Sequence, residues 1–263
     1  MNYNLKKEYD DLSKKIEEIT TKQKIESLDT VSEALEKAKL EVNNWMEIEN
    51  VIVVFSDLKN STGISFDKQD KTMTKLLEYL NKPFVKMHKS YGAEFIEIKG
   101  DGGIAIYSKE NAVKALLASI SIKTYYYNYI NKKVKTLYGV DFEVTTGISK
   151  GNLKLKLIGE RGLNFPVWAG ETINLSALIS KELKHKSSPN NYIGITNDIY
   201  DEIKTNKLEE YLYYSCGCGN DGYKAHLWKI ETIPNKNGKK YYYMNNNWCN
   251  MHGQEYLDKI LAI

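Results

Sequence analysis

The sequence predicts an α+β sandwich, with helices on one side of a mainly antiparallel sheet, as in ferredoxin-like palm domains. Three observations lead there. From residue 50 the apolar runs follow the order β-α-ββ-α-β. Two aspartates, Asp57 and Asp101, stand where strand-like runs end. Ahead of them, residues 1 to about 48 are polar and carry apolar residues at helical spacing.

In that N-terminal stretch Leu5, Tyr9, Leu12, Ile16 and Ile19 form one set, and Leu28, Val31, Leu35, Ala38, Val42 and Trp45 a second. Steps of three and four alternate in both, so two helices are expected, each too short for a secure coiled coil. Thr20 to Lys24 interrupts them. The pair reads either as a helical appendage packed on the core or as a dimerisation or regulatory arm.

Val51 to Phe55 is an apolar strand that ends in Ser56-Asp57-Leu-Lys-Asn-Ser-Thr62. Thr72 to Tyr91 places Met73, Leu76, Leu77, Leu80, Phe84 and Met87 on one helical face, and Pro83 is expected to kink or divide it. Glu94 to Tyr107 is two runs joined by Gly100-Asp101-Gly-Gly, a tight hairpin. Glu110 to Asn131 is helical by spacing. Phe142 to Leu153 reads as a strand with a turn permitted by glycine. Pro166 to Ser180 reads as a glycine-bearing loop entering a short helix. Tyr192 to Thr196 is a strand, Asp198 to Lys204 a helix, and Tyr211 to Ile230 holds short strands around Cys216-Gly-Cys218-Gly-Asn-Asp-Gly222. A polar, tyrosine-rich tail starts near Pro234 and ends in a helix from Glu255. The expected organisation is an N-terminal helical extension, 1–48, and one catalytic domain, 49–263.

The 263 residues can bury a sizeable core. No run approaches the roughly 18 apolar residues of a membrane span, and no signal-peptide core follows Met1. Three cysteines fit a reducing compartment, so a cytoplasmic protein is expected. The net charge of +3, from 37 basic and 34 acidic residues, is too balanced to imply a nucleic-acid partner.

Two carboxylates converging from strand ends suit a hard divalent cation, which takes one or two protein carboxylates and leaves other positions to water and phosphates. Each acid taken alone also fits a plainer role, Asp57 as a helix cap and Asp101 as a turn residue. Cys216, Cys218, Cys249 and His252 are a possible Cys₃His zinc set, although C-x-C spacing is unusual and buried free thiols are the default.

Four motifs in order carry a more specific signal: Phe55-Ser-Asp57-Leu-Lys-Asn-Ser-Thr62, Lys99-Gly-Asp101-Gly, Thr146-Gly-Ile-Ser-Lys-Gly151 and Trp168-Ala-Gly-Glu-Thr-Ile-Asn174. Together they resemble the class III nucleotidyl cyclase catalytic domain from about residue 50 to 230. Within it, Trp168-Ala-Gly, the Cys216 to Tyr223 segment and Trp248-Cys-Asn-Met-His-Gly253 are most similar to the bacterial pyrimidine nucleotide cyclases of Pycsar antiphage defence. The resemblance implies attack of a ribose 3′-hydroxyl on the α-phosphorus of a nucleoside triphosphate, with pyrophosphate leaving and two Mg²⁺ or Mn²⁺ ions per active site. It implies metal ligation by Asp57, Asp101 and the carbonyl of Leu58, and orientation of the ribose by Asn174 from the opposite subunit of a homodimer.

The chain also departs from the family pattern. The transition-state arginine position holds Leu178, with Lys181 one turn on as the replacement charge. Cys218 stands where mammalian-type members have a phosphate-binding lysine. At the base-reading positions stand Glu97, Val167 and Trp168. A carboxylate accepts from uracil N3–H or cytosine N4–H₂, and Val167 with Trp168 suits a pocket narrowed for one ring. For Trp168, core packing is an equal reading. The implied product is cUMP ahead of cCMP, acting on a separate effector protein. The alternatives are a guanylyl or adenylyl cyclase, or an inactive nucleotide-binding module.

Overall fold

A computed structural model describes residues 4–262 except 23, 42, 60–69, 140, 161–162, 187–191, 217, 219–222, 235, 237 and 245–246. Two compact units emerge, residues 1–49 with 153–169, and residues 50–152 with 170–263. The two long strands, β2 (Trp45–Leu58) and β5 (Val144–Glu160), each contribute one half to either unit.

The first unit contains α1 (Leu5–Lys22), β1 (Ile25–Leu28), α2 (Val31–Leu40) and β6 (Leu163–Ala169). Two helices form as expected, but Leu28 lies in a strand rather than at the head of the second helix. That helix starts where the Thr30 hydroxyl accepts the Glu33 N–H at 3.1 Å and caps it. Trp45 also falls in a strand, because Met46 and Ile48 alternate with more exposed residues. β1 runs parallel to β2, and β6 is antiparallel to β5. Pro166 to Ala169 is therefore strand, not loop. No pairing other than that with β5 is described for β6, and an edge position tolerates Pro166, which has no N–H to donate. The buried residues of this unit include Val31, Ala34 and Ala38 of α2, Met46 and Ile48 of β2, Leu155 of β5 and Trp168 of β6. Leu5, Tyr9, Leu12, Ile16 and Ile19 of α1 are all exposed.

The second unit holds α3 (Asp70–Ser90), β3 (Phe95–Lys99), β4 (Gly102–Tyr107) and α4 (Ala112–Tyr125). After a π-helical turn (Tyr126–Asn131) come α5 (Lys132–Tyr138), α6 (Glu171–Lys184), β7 (Ile193–Thr196), α7 (Asn197–Thr205) and α8 (Glu209–Leu212). The short pair β8 (Tyr214–Ser215) and β9 (Ala225–His226), then β10 (Trp228–Thr232), β11 (Lys240–Met244) and α9 (Gly253–Leu261), complete it. Pro83 lies inside α3 without dividing it, and β5 runs through Gly151 without turning. The sheet order is β10-β11-β7-β5-β2-β4-β3. β5 pairs parallel with β7, and the other pairings described in this unit are antiparallel.

Helices cover both faces of this sheet rather than one. Leu76, Leu80 and Phe84 of α3 and Leu116 and Ile120 of α4 share a cluster with Ile52, Val54, Ile148, Ile193 and Ile195. Helix α6 packs Leu175, Ile179 and Leu183 with Tyr241 and Tyr243 in a second cluster. Strand alternation separates the two. Ile193 and Ile195 face the first cluster, whereas a Cβ on Gly194 would meet Ile179 at 2.4 Å. A Cβ on Gly147 would come within 2.0 Å of the Ser176 carbonyl, so only glycine lets α6 lie this close to β5.

Candidate active site

β2 ends at Leu58, and its last pairings set Ser56 against Gly103 and Asp57 against Gly102. The Leu58 N–H donates to the Asp101 carbonyl at 3.0 Å, which joins the strand end to the β3–β4 turn. A Cβ on Gly102 would lie 2.6 Å from the Ser56 carbonyl and 3.5 Å from Asp57 Oδ1, so the glycine after Asp101 permits that approach. Beneath, the Ser56 and Thr146 hydroxyls share a buried hydrogen bond of 2.7 Å. Asn81 of α3 donates to the Gly100 carbonyl at 3.1 Å.

The ammonium of Lys184, in the last turn of α6, donates to Asp57 Oδ2 and, at 3.2 Å, to the Leu58 carbonyl. A carboxylate and a carbonyl thus already share one cation. Burial raises the Asp57 carboxyl above the usual range. Lys184 pulls it back, and the charge of Asp101 adds to the rise. Lys59, one residue beyond the strand, pairs with Glu143 Oε2 at 3.0 Å and donates to the Lys186 carbonyl at 3.0 Å. Asn60, Ser61 and Thr62 of the same motif lie outside the described residues.

Asn174, Leu178 and Lys181 all lie on α6. Asn174 and Lys181 are exposed and, seven residues apart, share a helical face. Lys181 has no ion pair among the described residues. Asn174 precedes Lys184 by ten residues, about 15 Å of helical rise. Within one chain, then, the structure brings Asp57, Leu58, Asp101 and Lys184 together and leaves Asn174 apart. Leu178 packs against the cluster of Leu175, Ile179, Leu183 and Tyr241, so this position is committed to the core. Glu97 is on β3, and its buried Oε2 is 3.4 Å from the Lys99 ammonium, without a hydrogen bond among the described residues. In the first unit, Val167 is exposed on β6 and Trp168 is buried opposite Leu155.

The model of the adenylate and guanylate cyclase catalytic domain matches residues 43–210. The chain belongs to that family. It is similar to a uridylate cyclase of Propioniciclava tarda, 28% identical over 231 residues that cover 84% of this chain and 71% of the relative. A uridylate cyclase of Micromonospora echinofusca is 24% identical over 234 residues, 84% of this chain and 72% of that one. Among solved structures, the adenylyl cyclase CyaB from P. aeruginosa superposes with a TM-score of 0.59 at 16% identity, covering 78% of this chain and 99% of that one. The guanylyl cyclase Cya2 gives 0.56 at 18% identity over 74% and 90%. These structures establish the cyclase fold.

Lys184 is the one residue of this cyclase's strand-end cluster that sequence reasoning missed. Its signal was a lysine in the last turn of the helix that carries Asn174, and a cation is favoured at such a terminus. The cysteines of the cyclase are not uniformly buried: Cys249 is, Cys216 is half-buried and Cys218 is exposed. Among the described residues no helix is long and apolar enough to cross a membrane.

Proposed function

We propose that the protein is a homodimeric uridylate cyclase, converting UTP to 3′,5′-cyclic UMP and pyrophosphate, with CTP as the second substrate. The strand-end cluster carries the reading: the half-buried Asp57 carboxylate, its pKa raised, and the Leu58 carbonyl share a position where the chain already places a cation, with the charge of Asp101 near enough to add to that rise. That donor set fits a hard divalent ion. Mg²⁺ or Mn²⁺, two per active site, would supply charge to the triphosphate oxygens and acidify the 3′-hydroxyl.

Asp57, Leu58 and Asp101 hold these ions in this reading. Asn174 orients the ribose, and Lys181 meets the charge that grows at the α-phosphate, since the apolar, half-buried Leu178 has no charge to offer. Asn174 acts on the partner's site. Its separation from Asp57 within one chain supports that, as does the exposed apolar row of α1, which offers a surface for a second copy. Glu97 reads the base: its buried oxygen lacks a full donor, and uracil N3–H is one. Val167 and Trp168 remain base-contacting residues by family resemblance. The catalytic domain is residues 49–263, the setting is cytoplasmic, and the product signals to a separate effector in antiphage defence, a reading that rests on the uridylate cyclase relatives and the Pycsar-like motifs.

Leu178, an apolar residue packed against a core cluster where the family pattern has a charge, favours a second reading, an inactive nucleotide-binding dimer. Incubating the protein with each of the four labelled triphosphates and Mn²⁺ separates the two. We expect cyclic UMP as the main product. A purine cyclic nucleotide alone would overturn the pyrimidine assignment, and tight UTP binding without turnover would favour the inactive module.

A further inference from the structure

Away from the strand-end acids, four side chains converge that the cyclase reaction does not use. Cys216 and Cys218 follow β8, and Cys249 and His252 sit in the turn before α9. Their ligating atoms all lie within 4.8 Å of one another. Cys218 Sγ is 3.1 Å from Cys249 Sγ, and His252 Nδ1 is 3.3 Å from Cys216 Sγ and 3.4 Å from Cys249 Sγ. The sulfurs are too far apart for a disulfide, whose S–S length is about 2.05 Å. Around a tetrahedral zinc, Zn–S of about 2.3 Å and Zn–N of about 2.0 Å imply S···S edges of about 3.8 Å and S···N edges of about 3.6 Å. Those three spacings lie inside these edges and the remaining ones stay within 4.8 Å, so one ion can reach all four atoms after small side-chain adjustments.

The turn that carries Cys249 and His252 is fixed by bonds that do not involve the ligating atoms. The Cys249 N–H donates to Ser215 Oγ at 2.6 Å, tying the turn to β8. Trp248 Nε1 donates to Thr124 Oγ1 at 3.0 Å, tying it to α4. The His252 N–H donates to Cys249 Sγ at 3.5 Å, holding the two ligands of this turn against each other. Three sulfurs with one imidazole select zinc over hard cations, and four protein ligands leave no open position for substrate.

We propose that Cys216, Cys218, Cys249 and His252 bind one structural Zn²⁺, which clamps the turn before α9 onto β8 and the catalytic unit. Binding releases one proton from each thiol and involves no redox step. The site is distinct from the strand-end oxygens, and its test does not depend on substrate.

Protein purified under reducing conditions without chelator should contain about one zinc per chain by elemental analysis. The Cys216→Ser/Cys249→Ser variant should fall below about a tenth of that. Because that variant may fail to fold, wild-type protein stripped by chelator is titrated with Co²⁺. Thiolate-to-cobalt charge transfer and tetrahedral d–d bands should saturate at one equivalent. Wild-type protein without zinc and without those bands, a Cys218–Cys249 disulfide in the reduced preparation, or full zinc content in a folded double variant would each overturn the site.

Discussion

The strand-end acids and the cysteine–histidine cluster both gather ligating atoms from segments remote in sequence, yet they differ in what the chain itself supplies. At Asp57 and Leu58 a tethered ammonium, Lys184, occupies the oxygens. At the sulfurs, no ammonium or guanidinium bonds to the ligands among the described residues. A half-buried carboxylate beside a second one is costly, and a displaceable lysine would offset that cost between turnovers. Such a site suits an ion that arrives and leaves with a triphosphate. A closed sulfur site suits an ion that stays. The difference separates a place for chemistry from a place for stability, and each side can be attacked alone.

The largest expected effect is at the oxygens. Asp57→Ala should lower cyclic nucleotide production more than about 100-fold while thermal unfolding stays cooperative, because removing a direct ligand exceeds the 10- to 100-fold typical of its supporting residues. Mixing that chain with Asn174→Ala should restore activity through heterodimers carrying one intact site. Absence of rescue, with heterodimers confirmed by mass, would return Asn174 to a structural role.

A smaller effect tests whether Lys184 is the tethered substitute. In Lys184→Met the competing cation is gone and one repelling charge is lost. Mn²⁺ should then bind about tenfold more tightly without nucleotide at pH 8, by calorimetry, about 1.4 kcal/mol. The same substitution removes the contact that lowers the Asp57 pKa, so metal binding should fail at a higher pH on acidification. Weaker Mn²⁺ binding at pH 8 would make Lys184 a supporting residue instead.

How much of this the sequence disclosed follows from which interactions are local. Strand-end acids and the Gly-Asp-Gly-Gly hairpin are written in short windows, so Asp57 and Asp101 were legible. Trp45 and Leu28 were misread because one apolar residue at the end of a helical run extends its spacing by coincidence and fits a short strand equally, and only pairing with β1 or β2 decides. The second covered face was hidden for another reason. It depends on Gly147 and Gly194 being small enough to admit α6, and a missing side chain leaves no periodic mark. Lys184 pairs with a residue 127 positions away, and Cys218 lies beside one 31 positions away. Such approaches are set by topology rather than by spacing.

The last effect concerns a histidine that belongs to neither cluster, and it separates two causes of acid sensitivity. His88 of α3 is fully buried, with Nδ1 sharing a 2.6 Å hydrogen bond with the Tyr107 hydroxyl, and burial pushes it down from 6.5 to about 3. Its folded value is lowered, so the unfolded chain takes up a proton that the native state refuses between about pH 6.5 and 3. The stability is complete above that window and lost as pH falls through it. From pH 7 to 5 the loss is about 2 kcal/mol, or roughly 4–8 °C in melting temperature for a domain of this size. Acid also expels zinc from thiolates, which adds a slope of its own. In the Cys216→Ser/Cys249→Ser background only the His88 share should remain, and adding His88→Phe should flatten it while lowering the melting temperature at pH 7. A slope unchanged by His88→Phe would place the acid sensitivity in another buried group, whereas one already absent in the cysteine variant would assign it wholly to the metal.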